Sequence, residues 1–315
     1  MKEGKSKKKI SIVNVVFISI FCAVLVMYAL GLISMLLWGL LTSLKSNLDF
    51  QFMDNILGWP DKLASHDELR LKNYKLNIEY FEFTITKAYI SRGRQVIHQS
   101  TSGFFDMLLN TIVYAAIGSV VHTFVTAIVA YLCVKYKQFL LARIMYAANL
   151  VSMTLPIIGA GPAMLELLRD LGVYDSFIGM TMMKASFNGM YFLVMYAFFE
   201  GMSDSYAEAA EIDGASYYRI LFSIMLPLAM KVASTTMLLN FVTYWNDYQT
   251  ALLYMPTYPT LAYGIWKLSQ SSIAQLSYVP ARIAGSMMLA LPILVLFMCA
   301  KNKMMGNISI GGVKE

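Results

Sequence analysis

Long apolar runs bounded by charged residues dominate this chain. A helix needs about 20 apolar residues to cross a hydrocarbon core of about 30 Å. Six runs reach that length, at residues 12–41, 107–134, 139–168, 177–202, 227–255 and 282–300. Lipid offers no partner to an unpaired backbone group, so such runs predict helices. The expected fold is an all-α membrane protein with six transmembrane helices. The third run holds Pro156, Gly159, Gly161 and Pro162, and proline inside a helix removes a backbone bond and collides with the preceding turn. That span is expected to be kinked or broken, either for packing alone or beside a cavity.

Lysines and arginines set the orientation. Lys2, Lys5, Lys7, Lys8 and Lys9 precede the first run, Lys135, Lys137 and Arg143 surround the second connection, and Arg219 and Lys231 flank the fourth. Lys301, Lys303 and Lys314 lie in the tail. In a six-span chain these all fall on one side, and the positive-inside rule makes that side the cytoplasm. The segment 43–105 is then extracytoplasmic; loops longer than about 60 residues translocate whatever their charge. The implied organisation is a basic N-terminus (1–11), a first helix (12–42), an outer loop (43–105) that forms a small ordered cap, a membrane core (106–302) and a cytoplasmic tail (303–315).

Composition supports lipid as the solvent. Hydrophobic residues make up 58% of the chain and charged residues 14%, against about 45–50% apolar in soluble domains. The net charge of +6 is concentrated where topology needs it and gives no nucleic-acid footprint. Cys22, Cys133 and Cys299 sit inside apolar runs, with neither disulfide nor metal spacing. The first run far exceeds the roughly 7–15 apolar residues of a signal peptide, which predicts a retained helix. Gly4-Lys5-Ser6 matches only the end of a phosphate loop, with no preceding strand or glycine.

The most informative stretch is 206–227, on the cytoplasmic side. Glu208 and Glu211 share one helical face, and Ala207, Ala209 and Ala210 allow close backbone approach. Asp213-Gly214 breaks the helix, since glycine adopts positive φ at little cost. Tyr217, Tyr218, Ile220, Leu221, Ile224 and Met225 follow as an apolar surface, and Pro227 is placed to open the next helix. By residues alone this is two short helices at the membrane face, either docking into a partner or lying on the headgroups.

The series Glu208-Ala209-Ala210, then Gly214, then Ile224 and Leu226-Pro227 resembles the EAA signature of permease subunits of type I, binding-protein-dependent ABC importers. Asn110-Thr111, Ala130-Tyr131 and Trp245-Asn246-Asp247-Tyr248 are similar to the carbohydrate-uptake branch, which includes the maltose permeases. Gly311-Gly312-Val313-Lys314 resembles the tail of its complex-oligosaccharide importers. Tyr196 stands where many relatives have an arginine before a Phe-Phe pair. The resemblance implies the type I permease fold with a cytoplasmic coupling helix, in which Glu208, Ala209, Ala210, Gly214, Ala215, Tyr218, Ile224, Leu226 and Pro227 contact the ATPase. It further implies a second permease subunit, with a heterodimer expected, two cytoplasmic ATPase subunits that hold ATP and magnesium, and an extracytoplasmic solute-binding protein. This chain itself would be no enzyme and bind no cofactor or metal, and would sit in a bacterial inner membrane with both termini cytoplasmic.

Polar residues inside spans are costly and are candidates for function. Lys184, His122 and the group Glu166, Arg169 and Asp170 stand out; the last group and Lys184 are near enough to span ends to snorkel. His122 suits a helix-to-helix hydrogen bond equally well. A sugar needs aromatic faces and amide or carboxylate groups. Asn240, Tyr244, Trp245, Asn246 and Asp247 supply both, and Asn240, Tyr244 and Asp247 share a face at i, i+4 and i+7. With Lys184 they form the candidate substrate path, against an interfacial-belt reading of Trp245. The rival classes are an importer for another small solute, a secondary transporter, which calls for paired broken helices and intramembrane acids, and a membrane enzyme, for which the scattered His66, His98 and His122 give no constellation.

Overall fold

The computed structural model describes residues 12–52, 55–60, 71–91, 94–155, 159–270 and 273–305. Outside them fall the N-terminal lysines, Pro156, His66 and the Gly311–Lys314 tail. Contacts divide the chain into two compact units, Met1–Asn77 with Ser272–Met288, and Ile78–Ser271 with Leu289–Glu315.

The first unit contains α1 (Ile12–Ser43), a π-helical turn (Leu48–Phe52), part of α2 (Lys72–Tyr80), α13 (Ala274–Ser277) and the start of α14 (Val279–Met305). Most of α1 is apolar and exposed, as a lipid-facing helix should be. Its C-terminal end is held by side chains that reach backbone carbonyls. Asn73 Nδ2 donates to the carbonyls of Ser43 and Lys45 at 2.8 Å, and Asn77 Nδ2 to those of Asn73 and Ala281. The Lys45 amine donates to the carbonyls of Asn55 and Ile56; burial pulls it below the usual lysine range, against the opposing pull of Asp49.

The second unit is built around α3 (Phe104–Lys135), about 48 Å long at 1.5 Å per residue. Packed against it are α4 (Leu140–Thr154), α6 (Phe177–Lys184), α7 (Met190–Glu200), α10 (Leu226–Trp245) and α12 (Leu261–Ser269). The third predicted span is two helices, α4 and α5 (Ala160–Asp170), and Gly159 opens α5 at φ +91°. The fourth is broken as well, into α6 and α7, which corrects the expectation that it runs unbroken. Gly189 takes φ +109° before α7, and its N–H donates to the buried Asn149 Oδ1 at 2.7 Å. The break therefore keeps a hydrogen-bond partner without water, and breaks in two spans no longer separate an importer from a secondary transporter.

Among the described residues, four helical stretches are individually long and apolar enough to cross a membrane: Val15–Ser43, Phe104–Lys135, Tyr217–Trp245 and Val279–Cys299. Between α2 and α3 lies an antiparallel hairpin, β1 (Phe83–Ser91) and β2 (Arg94–Ser102), paired from Phe83↔Ser102 to Ser91↔Arg94. The alternating Phe83-Thr84-Ile85-Thr86 pattern is a strand signal that the search for long apolar runs passes over.

Close approach makes one glycine testable. A Cβ on Gly179, in the first turn of α6, would lie 2.3 Å from the Val173 carbonyl oxygen, which backbone cannot yield cheaply. Gly179→Ala should cost about 1–3 kcal/mol by overpacking, read as a lower unfolding midpoint in detergent; an unchanged midpoint would show that the turn relaxes freely.

Candidate functional site

The loop between the fourth and fifth spans folds into α8 (Ser205–Ile212), a tight reversal and α9 (Tyr217–Ile220). The reversal is a Schellman cap: Ala215 N–H donates to the Ala210 carbonyl and Gly214 N–H to that of Glu211, with Gly214 at φ +78°. Ser216 caps α9 through its side chain, accepting from Arg219 N–H at 3.4 Å.

After α9 the chain continues without a break through a π-helical stretch, Leu221–Met225, into α10. This corrects the expectation of a second short helix that ends before Pro227. Proline lacks an N–H and crowds the carbonyl one turn back, and the wider π turn gives it room. Leu226 N–H reaches the Leu221 carbonyl, five residues earlier. The fifth span thus begins at Tyr217.

The loop's alanines divide by face. Ala207 and Ala210 are buried in a core with Ala127, Ala130 and Tyr131 of α3, and Phe192, Met195 and Phe199 of α7. Glu208 and Ala209 face outward. The close approach that sequence reserves for a partner is therefore used, at 207 and 210, by the chain's own helices. The apolar surface also differs from expectation. Ile220, Leu221 and Met225 are core residues and Ile224 is partly buried against them, whereas Ile212, Tyr217, Tyr218 and Phe222 are exposed. Leu226 is buried and Pro227 exposed. Glu211 pairs with Lys135 at 3.2 Å, which ties α8 to the end of α3.

The intramembrane candidates also meet. Lys184, at the end of α6, lies 3.4 Å from Asp247, just past α10, with side chains only 15% and 19% exposed. Asp247 further accepts from Tyr114 OH at 2.5 Å and Thr250 Oγ1 at 2.6 Å, and its other oxygen accepts from Thr250 N–H at 3.0 Å. The Lys184 amine sits 4.5 Å from the centroid of the Tyr244 ring and 5.6 Å from that of Tyr114. Lys184 is thus an internally paired cation, which corrects the snorkelling alternative. Asn240 Nδ2 donates to Thr123 Oγ1 at 3.2 Å, and His122 Nδ1 lies 3.3 Å from Ser186 Oγ.

Trp245 is buried in the core rather than open to a path. It is 4% exposed and donates to the Leu289 carbonyl at 3.0 Å. Asn246 is exposed and donates to the Val242 carbonyl. Tyr114, Thr123 and Thr250 complete this cluster and were not read from sequence. Their signal is weak, because tyrosine and threonine are ordinary residues in membrane helices.

Residues 123–301 match the family of binding-protein-dependent transport system inner membrane components. The chain belongs to this family. The polygalacturonan/rhamnogalacturonan transport system permease protein YtcP of Bacillus subtilis (strain 168) is 30% identical to this permease-family chain over 156 residues, half of this chain and 53% of that relative. The diacetylchitobiose uptake system permease protein NgcG of Streptomyces coelicolor is 25% identical over 300 residues, covering 94% of this chain and 88% of that one. A crystal structure of a bacterial ABC transporter involved in the import of the acidic polysaccharide alginate superposes with a TM-score of 0.67 at 19% identity. It covers 94% of this chain and 99% of its counterpart. That likeness shows a shared fold.

Proposed function

We propose that this chain is one permease subunit of an ATP-driven importer in a bacterial inner membrane, with both termini cytoplasmic. With a second permease subunit, as a heterodimer, it forms the path for an oligosaccharide or related sugar brought by an extracytoplasmic solute-binding protein. Two cytoplasmic ATPase subunits hold ATP and magnesium. The observation that carries this reading is the glycine-capped α8–α9 turn, which presents Glu208, Ala209, Ile212, Tyr217 and Tyr218 outward while its other face is fixed to the spans. Because α9 continues into the fifth span, a push on the loop passes into that span as a rigid rod. The sugar class is supported by the relatives' names.

Purification from the native membrane in mild detergent should yield, in stoichiometric amounts, a second multi-span chain and an ATP-hydrolysing subunit. A lone chain without ATPase activity, reproduced in lipid nanodiscs, would overturn the reading.

A further inference from the structure

On the side opposite the coupling loop, three outer connections meet around a cleft of about 630 Å³: the base of the hairpin, the turn before α6 and the segment after α11 (Gln249–Tyr254). That volume lies within the roughly 300–1,000 Å³ of small-molecule sites. Phe83, Tyr174 and Tyr263 bring rings into it. Tyr263 stacks on Trp266, which in turn stacks on Tyr248 at 5.4 Å and 11°, so its ring is held in place.

The charges in the wall are unequally compensated. Both Asp175 carboxylate oxygens are engaged by Thr257, from N–H at 3.0 Å and from Oγ1 at 2.7 Å. The Lys267 amine lies 4.4 Å from the Phe83 ring centroid and 5.9 Å from that of Tyr263; among the described residues no carboxylate pairs with it. The cleft therefore offers ring faces and a positive charge with no carboxylate partner among the described residues.

We propose that this cleft is an outer saccharide subsite that takes an acidic oligosaccharide, one containing uronic acid units. A pyranose ring lies against Tyr263 and Phe83, and its carboxylate pairs with Lys267. The proposal rests on the reading of the chain as a sugar-importer subunit and deepens it by naming the sugar's charge.

The test uses the full chain in nanodiscs, without ATPase, titrated with trigalacturonate and, separately, with maltotriose, followed by calorimetry. The acidic trisaccharide should bind about tenfold more tightly than the neutral one, and Lys267→Met should erase that preference by weakening only the acidic ligand. Lys267→Arg should retain it. Tyr263→Leu, which keeps an apolar side chain, should weaken both ligands. Equal affinity for the two trisaccharides, or a preference that survives Lys267→Met, overturns the acidic assignment, and no saturable binding of either overturns the subsite. Co-purification of an ATPase is scored separately, so the importer reading can stand where the cleft fails, and the reverse.

Discussion

Asp247→Ala will destabilise the chain by about 3–5 kcal/mol, because it strands the Lys184 amine in a largely buried site. The carboxylate serves four donors at once: the lysine, Tyr114 OH, and the Thr250 hydroxyl and N–H. Those donors come from α3, α6 and the start of α11, so one side chain fastens three elements around the end of α10. Lys184→Met should cost less than Asp247→Ala. The carboxylate then keeps its three uncharged donors, whereas the reverse change leaves the lysine with ring faces and the Thr250 hydroxyl. The decisive comparison is a double-mutant cycle with Lys184→Met and Asp247→Asn, by unfolding in detergent. The double variant should be more stable than the sum of the singles by about 1–3 kcal/mol. Strict additivity would mean that the two charges do not depend on each other, and the cluster would reduce to separate hydrogen bonds.

The same cluster shows what the sequence could and could not convey. Four spans are legible as unbroken runs because lipid imposes a length that a crossing helix must meet, and the break in the third predicted span because proline and glycine punctuate it. The break in the fourth was hidden: Ser186, Asn188 and Gly189 are small polar residues of a kind that packed membrane helices also use, and what makes the break tolerable is Asn149, 40 residues away. Lys184 and Asp247 were each visible as intramembrane charges, yet their pairing depends on how α6 and α10 pack on α3, which no local pattern records. Trp245 is ambiguous in sequence for a related reason. A tryptophan near a span end suits a headgroup belt, and only its hydrogen bond to the Leu289 carbonyl places it in the core. In the loop 206–227 the helix, its glycine stop and the motif are plain in sequence. The division of its alanines was not, because an alanine facing a partner and one facing its own core look identical in a sequence.

That division makes the coupling role separable from folding. Ala209→Arg places a charge on the outward face of α8, beside the exposed Glu208, and touches none of the core. It should leave the unfolding midpoint within about 0.5 kcal/mol of the parent, as an exposed substitution does. ATP-dependent uptake by the reconstituted importer should nevertheless fall at least about tenfold, since an added cation in a desolvated contact costs more than 1.4 kcal/mol. Ala207→Arg, two residues earlier, drives the same side chain into the core around Phe199 and Tyr131. It should destabilise the chain itself by several kcal/mol. If α8 merely rests on headgroups, Ala209→Arg will instead transport normally, since a cation there is welcome beside anionic lipid. Uptake lost with stability intact at 209, and lost together with stability at 207, is the pattern that a docked coupling helix must give.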